Sequence, residues 1–269
     1  MLAEIAAIDG RYQEAEHQLS KVIATARQSQ NTPGYALSKL QMVYFFSGQF
    51  QKAKTPLTES QLVDDEKDYI WGILRNDISL GLLYLHGDGN YPEAQIMGQQ
   101  ALELGQDIEN DFFVCESLVL LLQGDIVLEN LVTARERLKE CDNICLYRSV
   151  GYVFYVAGTE FYSGILALIT GKTAVARQHL HTELEMAVHR RDKLNVANAL
   201  AAFALLYASE NQTISALETY SVAQQHPFIA NSHWFADVIG KRISAASANL
   251  SPAEITSAQA RGKEMDIWQ

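Results

Sequence analysis

The sequence predicts an all-α solenoid, in which helical hairpins of similar length stack one on the next. The 269-residue chain has only 5 prolines and 16 glycines, too few for the many turns of a β-sandwich or barrel. A six-residue phrase recurs about every 40 residues, which is the mark of a repeat architecture. Long apolar stretches precede the copies of the phrase, as expected for helices that pack between neighbours on several sides.

The recurring phrase reads glycine, any residue, an aromatic residue, two further residues and alanine. Three clear copies and three weaker ones occupy residues 10–15, 48–53, 89–94, 129–134, 171–176 and 211–216. The alanines that end them lie 38 to 42 residues apart. These alanines are Ala15, Ala53, Ala94, Ala134, Ala176 and Ala216. Six copies at so regular a spacing indicate six related structural units.

Each part of the phrase has a physical role in a helical hairpin. Glycine accepts the left-handed backbone conformation that ends many helices. The aromatic side chain would then fill the wedge between two antiparallel helices, and the alanine would let the second helix approach closely. One helical turn after the alanine, the same face carries a leucine or a tyrosine in five copies and Gly98 in the third. Each copy therefore predicts the turn and the second helix of a hairpin.

The stretches before the phrases predict the first helices of the hairpins. They span residues 35–47, 69–85, 111–128, 150–170 and 195–209. Another first helix is expected at about 231–250, followed by a second helix with Ser251 as N-cap and Pro252 at its first position. We therefore expect a right-handed superhelix of about six hairpins, forming a single domain over residues 1–269 with a terminal capping pair over about 231–269. Because only nine residues precede the first phrase, we expect the chain to be part of a longer array.

The phrase resembles the G-x-Y-x-x-A signature of the tetratricopeptide repeat (TPR), and the resemblance covers about residues 2–250. Three copies depart from it: Glu129 and Asn211 replace the glycine, and Leu131, Thr173 and Thr213 replace the aromatic residue. The period is also about 40 residues, where about 34 is usual. Long helices of this kind are similar to the repeat arms of large bacterial signal-transduction ATPases and related transcription regulators. The segments 226–235 and 258–263 resemble the ends of such arms. The resemblance implies a cytoplasmic arm that senses an inducer or a partner protein and relays the signal to an ATPase module, which this sequence does not contain.

Charge and cysteine content narrow the classes of partner. The net charge of −11 and a short best basic run at 189–193 disfavour nucleic acid, which proteins bind through clustered basic residues. The three cysteines, Cys115, Cys141 and Cys145, favour a reducing cytoplasm over a disulfide framework, because their number is odd and the chain is not small. The longest apolar run, 199–208, is too short to span a bilayer. We expect protein, peptide or small-molecule partners, and neither direct nucleic-acid binding nor a membrane.

The motifs that could carry chemistry have commoner structural explanations. The segment 171–173 imitates the end of a phosphate-binding loop, but Leu166 stands where that loop needs a glycine. His181, Glu185 and His189 would share one helix face and could hold a metal, yet a solvated face of such residues is far commoner. No Ser-His-Asp or Cys-His arrangement is recognisable. We therefore expect no catalytic activity, no cofactor and no metal.

The first helices of stacked hairpins line a concave groove, which proteins of this architecture use for binding. Counting back from the alanines places both aromatic and polar side chains there, a mixture that suits a peptide or a small ligand. The candidate groove residues are Tyr35, Ser38, Arg75, Asn76, Ser79, Tyr155, Phe161 and Asn198. An aromatic run surrounds two of them: Tyr147, Tyr152, Phe154, Tyr155, Phe161 and Tyr162. For each aromatic of that run, packing in the core between neighbouring hairpins is the competing explanation.

These observations predict a non-enzymatic binding arm of a larger bacterial signalling ATPase or transcription regulator, with a protein, a peptide or a small-molecule inducer as its ligand. The alternative is a freestanding TPR scaffold that binds a peptide of a partner protein in its groove.

Overall fold

A computed structural model describes residues 6, 10–29, 31–145 and 158–268. The described residues form helices joined by short turns and contain no strand, so the prediction of an all-α fold is confirmed. The chain separates into two compact units, Met1–Gly151 and Tyr152–Gln269.

The first unit contains helices that pack mainly against the helices before and after them in the chain. They are α1 (Tyr12–Gln28), α2 (Gly34–Phe46), α3 (Phe50–Glu66), α4 (Ile70–Leu82), α5 (Tyr91–Asp107), α6 (Asp111–Val127) and α7 (Leu131–Cys145). Helix α4 continues through a π-helical turn, Leu83–Asp88. Helix α2 also contacts α4, and α4 contacts α6. The predicted first helices of three successive hairpins are therefore neighbours in space.

The second unit follows the same pattern and ends in shorter pieces. Its helices are α8 (Thr159–Ile169), α9 (Thr173–His189), α10 (Lys193–Ser209), α11 (Thr213–Ala223), α12 (Pro227–Asn231), α13 (His233–Phe235), α14 (Lys241–Ala246) and α15 (Pro252–Glu264). Helix α8 contacts α10, and α15 packs against α11. The first helix expected at about 231–250 is shorter, because Ser232 caps a new start by accepting a hydrogen bond from the Phe235 N–H at 3.3 Å. A π-helical turn, Ala236–Gly240, then joins α13 to α14.

The turn residues adopt the left-handed conformation that the phrase predicts. Gly10, Gly48, Gly89 and Gly171 all have φ between 66° and 74°. Glu129 and Asn211, which replace glycine in two weaker copies, have φ of 62°. The turns after the second helices use the same conformation at Asp68, Glu109 and Arg191. From residue 48 to 129 and from 171 to 211, a left-handed residue thus occurs every 20 or 21 positions, so the structural unit is a single helix with its turn.

The alanines of the phrase lie where helices approach each other closely. All six are at most 1% exposed. On the facing helix, a Cβ added to Gly81 would lie 3.5 Å from the Ala94 carbonyl oxygen and 2.4 Å from a Leu120 methyl carbon. The same close approach explains Gly98, which stands one turn after Ala94 where the other copies have leucine or tyrosine. A Cβ added to Gly98 would lie 2.8 Å from the Leu121 side chain.

The predicted start of the last helix is also present. The Glu254 backbone N–H donates to Ser251 Oγ at 3.3 Å, and the Ser251 backbone N–H donates to Glu254 Oε2 at 2.8 Å. Pro252 occupies the first helical position. Together these contacts form a capping box, which satisfies backbone donors that the helix leaves unpaired.

We expect Ala94→Leu to lower the free energy of unfolding by about 1–3 kcal/mol, because extra carbon atoms cannot enter a close helix contact without strain. Gln100→Leu, at an exposed position of the same helix, is the matched control. Urea denaturation followed by circular dichroism measures both. Equal unfolding midpoints for the two variants would show that Ala94 is not at a close contact.

We expect Gly171→Ala to lower the free energy of unfolding by about 1 kcal/mol through the left-handed backbone alone. No atom lies within 4 Å of the position of an added Cβ at Gly171, so steric overlap contributes nothing. Gly171→Asn should cost less, because asparagine tolerates this conformation. The same denaturation experiment compares them, and an alanine variant as stable as the wild type would refute the assigned turn.

Candidate ligand-binding surface

Four side chains from α2, α4 and α6 meet on one face of the first unit, and we call them the Tyr35 cluster: Tyr35, Lys39, Arg75 and Glu116. Tyr35 is 62% exposed. Lys39 Nζ lies 5.2 Å from the centre of its ring, and the Arg75 guanidinium carbon lies 5.8 Å from it. Cations at these distances are attracted to an aromatic face. The cluster therefore holds an exposed ring between two positive charges.

Asp64, in the last turn of α3, holds the base of the cluster. Its Oδ2 accepts a hydrogen bond from Asn76 Nδ2 at 2.9 Å and lies 3.7 Å from an Arg75 nitrogen. Gly72 makes this possible, because a Cβ there would lie 2.3 Å from the Asp64 carboxyl carbon. Asp64 thereby fixes the first turns of α4 and orients Arg75.

Buried polar atoms beneath the cluster have no hydrogen-bond partner. They are Ser38 Oγ, Gln41 Oε1, Arg75 Nε and Asn76 Oδ1. A buried polar group without a partner costs about 1–3 kcal/mol, and native proteins satisfy nearly all such groups with protein, water or ligand. Four of them between α2 and α4 mark a place that accepts water or polar ligand groups.

The charge of the cluster depends on Glu116, which lies in a largely apolar stretch of α6. Burial raises the pKa of the Glu116 carboxyl to about 8, against the opposing effect of Lys39 and Arg75. At neutral pH this carboxyl is therefore largely protonated. Among these side chains, Asp64 alone then opposes the positive charges of Lys39 and Arg75, which favours a ligand with an anionic group.

The structure places the predicted groove residues in different surroundings. Tyr35, Ser38, Arg75, Asn76 and Ser79 come together on α2 and α4, although Ser38, Asn76 and Ser79 are buried.

The groove residues predicted in the second unit are buried. Phe161 is 1% exposed and its ring lies 6.1 Å from the rings of Trp234 and Phe235, as the explanation by core packing requires. Asn198 is fully buried, and its Nδ2 donates to Asn195 Oδ1 at 3.0 Å. Tyr155 lies outside the described residues, as do Tyr147, Tyr152 and Phe154.

The remaining motifs take part in the fold. His181, Glu185 and His189 are exposed, and the His181 ring packs 5.2 Å from that of Phe203. Within the described ranges, no three His, Cys, Asp or Glu side chains group closely enough to hold a metal ion. In the same ranges, no helix combines the length and apolarity needed to cross a bilayer.

The cysteines depart in part from expectation. Cys115 is disulfide-bonded, whereas the odd cysteine count indicated no disulfide framework. Cys141 is a fully buried thiol outside that disulfide, and its Sγ lies 3.1 Å from that of Cys115 because α6 packs against α7. The side chain of Cys145 lies outside the described residues.

Sequence reasoning missed three members of this surface: Lys39, Asp64 and Glu116. A signal existed for Glu116, which is the one charged residue between Asp111 and Asp125. A signal also existed for Lys39, because it follows Tyr35 by one helical turn. This spacing lets a cation and an aromatic ring meet on one helix face. Nothing in the sequence indicated Asp64, because its contacts with α4 depend on the turn between the two helices.

A second buried carboxyl, Glu183 of α9, is 4% exposed. Its Oε2 has no hydrogen-bond partner. Burial raises its pKa to about 7, and a hydrogen bond from the Gly158 backbone opposes the rise. In four of the five other copies the residue seven positions after the alanine is small: Ser60, Ala101, Cys141 and Ala223. Glu183 is thus an ionisable group at a position built for a small side chain.

We expect the stability of the second unit to fall as pH rises from about 4.5 to above 7. The folded protein binds the Glu183 proton more tightly than the unfolded chain, whose pKa lies near 4.5, so the stabilisation is complete below that value and is lost as the pH passes 7. Glu183→Gln should remove this decline. Glu185→Gln, exposed on the same helix, should retain it. Thermal unfolding between pH 5 and 8 measures the slope, and identical slopes for the two variants would contradict the assignment.

No protein-family model matches the chain, and no curated protein matches it.

Proposed function

We propose that this chain is a non-enzymatic binding arm, a right-handed α-solenoid of TPR-like hairpins that binds a peptide or small ligand on the face formed by α2, α4 and α6. Two features support the solenoid. Left-handed residues follow α2 to α6 and α8 to α10, at intervals of 20 or 21 positions within each run, and the first helices of successive hairpins contact each other within each unit. Stacking of this kind buries apolar faces that a single hairpin would leave exposed.

The Tyr35 cluster is the observation that carries the binding function. It combines an exposed aromatic ring with two cations and a layer of buried polar atoms that have no partner. Aromatic and arginine side chains supply much of the binding energy at interfaces. The exposed side chains of Tyr69, Ile70 and Trp71, at the start of α4, extend the apolar surface available to a ligand beside it.

The position of the cluster suggests how binding would be transmitted. Tyr35, Arg75 and Glu116 belong to three successive hairpins. A ligand that contacts all three would favour one angle between these hairpins over others, because it binds that arrangement most tightly. In an arm of a larger bacterial signalling ATPase or transcription regulator, this change of curvature would reach the effector module.

Site-specific photocrosslinking tests the binding face. A benzoylphenylalanine replaces Tyr35 in one variant and Val132, which is 69% exposed on α7, in another. After irradiation in a lysate of the source cells, we expect a discrete crosslinked partner at position 35 and none at position 132. Arg75→Gln should weaken the crosslink about tenfold, since it removes a charge-assisted contact.

Arg135→Gln, exposed on α7, is the matched control for Arg75→Gln and should leave the crosslink intact. Equal crosslinking at positions 35 and 132, or no effect of Arg75→Gln, would contradict the proposal. A protein partner held by the isolated chain favours the freestanding scaffold. A small molecule that raises the Tm of the chain, with no protein crosslinked, favours a sensory arm.

A further inference from the structure

A separate cavity of about 390 Å³ lies in the first unit between α1 and α3, with α2 as its floor. Sites for small molecules commonly occupy about 300–1,000 Å³. None of the residues of the Tyr35 cluster lines this cavity.

Apolar and polar side chains line the cavity in similar proportion, and the apolar ones come from all three helices. Ile23, Leu37, Leu40 and Pro56 line it, and all four are otherwise buried in the core of the unit. Helix α1 contributes Ile23 and Arg27 to the lining, with the small side chain of Ala24 beside them and Ser20 one turn earlier. The small residues leave open a space that a longer side chain would fill, so an apolar body can enter from solvent.

Pro56 adds a polar feature to this interior. A proline within a helix has no N–H, so the Lys52 carbonyl lacks the donor that residue i+4 normally supplies. Both Lys52 and Pro56 line the cavity, as does the side chain of Thr55. The wall of α3 can therefore offer hydrogen-bonding groups beside the apolar floor.

The charged rim distinguishes the two ends of the cavity. At one end, Arg27 of α1 forms an ion pair with Glu59 of α3, so their charges cancel. Lys52 lines the cavity on α3, with its Nζ 5.6 Å from the centre of the Tyr44 ring. Among the described residues, no carboxylate lies within ion-pair distance of Lys52. The lining thus carries one uncompensated positive charge in a chain whose net charge is −11.

We propose that this cavity binds a small organic monoanion, a carboxylate with an aliphatic or aromatic body. The body lies on Ile23, Leu37 and Leu40, and the carboxylate meets Lys52. A neutral ligand would form no ion pair with Lys52, and a cationic ligand would be repelled by it. This site is additional to the binding face of α2, α4 and α6 and does not depend on it.

Isothermal titration calorimetry with octanoate tests the proposal on the full chain, with octylamine as a probe of the same length and opposite charge. We expect octanoate to bind and octylamine not to bind. Lys52→Gln should weaken octanoate binding about tenfold, as expected for loss of one charge-assisted contact. Lys21→Gln, exposed on α1 and outside the cavity, should leave it unchanged.

Two plugging variants, Ala24→Phe and Ser20→Leu, should abolish binding, because both positions are exposed and line the cavity. Circular dichroism establishes that they are folded. Failure of octanoate to bind, equal binding of octylamine, or equal effects of Lys52→Gln and Lys21→Gln would overturn the proposal. Crosslinking at position 35 is independent of all these variants, so either site can fail without the other.

Discussion

The left-handed residues that reverse the chain after helices α2 to α6 and α8 to α10 determine how these helices pack. Of the left-handed residues described, four are glycines and five are not. For residues with a Cβ this conformation costs roughly 1–2 kcal/mol, less for Asn and Asp. The cost is tolerated because the turn lets successive helices pack side by side. These turns also limit helix length, and α3, α5, α6, α9 and α10 all have 17 residues.

The regular spacing of the left-handed residues keeps chemically similar positions at the same level in successive hairpins. The alanines of the phrase then fall at helix contacts, and the first helices α2, α4 and α6 become neighbours. The Tyr35 cluster follows from this arrangement, because its residues come from helices that are distant in sequence. Asp64 reaches α4 only because the turn before Tyr69 brings the end of α3 against Gly72. A binding surface made in this way changes whenever the angle between hairpins changes, which is a useful property for a sensor.

The sequence predicted the helices and the left-handed conformation of the turns within the hairpins. The phrase predicted burial of its alanines and left-handed turns even where Glu129 and Asn211 replace glycine. The sequence also predicted breaks close to Asp68, Glu109 and Arg191, before the helices expected to start at 69, 111 and 195. It did not predict their left-handed conformation, because residues of these types usually adopt other conformations.

The binding surface was accessible to sequence reasoning only in part. Counting back from the alanines grouped Tyr35 with Arg75, which are in contact. Phe161 could not be placed in the same way, because Trp234 and Phe235 cover it from more than 70 positions away. The unpartnered atoms of Ser38 and Asn76 depend on side-chain geometry, which no spacing rule supplies.

Hydrogen–deuterium exchange of the chain with the partner crosslinked at position 35 tests whether a ligand binds across α2, α4 and α6. We expect amide exchange to slow in α2, α4 and α6 together and to stay unchanged in α3 and α5, because the ligand spans the first helices of three hairpins. Protection concentrated in α3 and α5, or confined to a single hairpin, would contradict it.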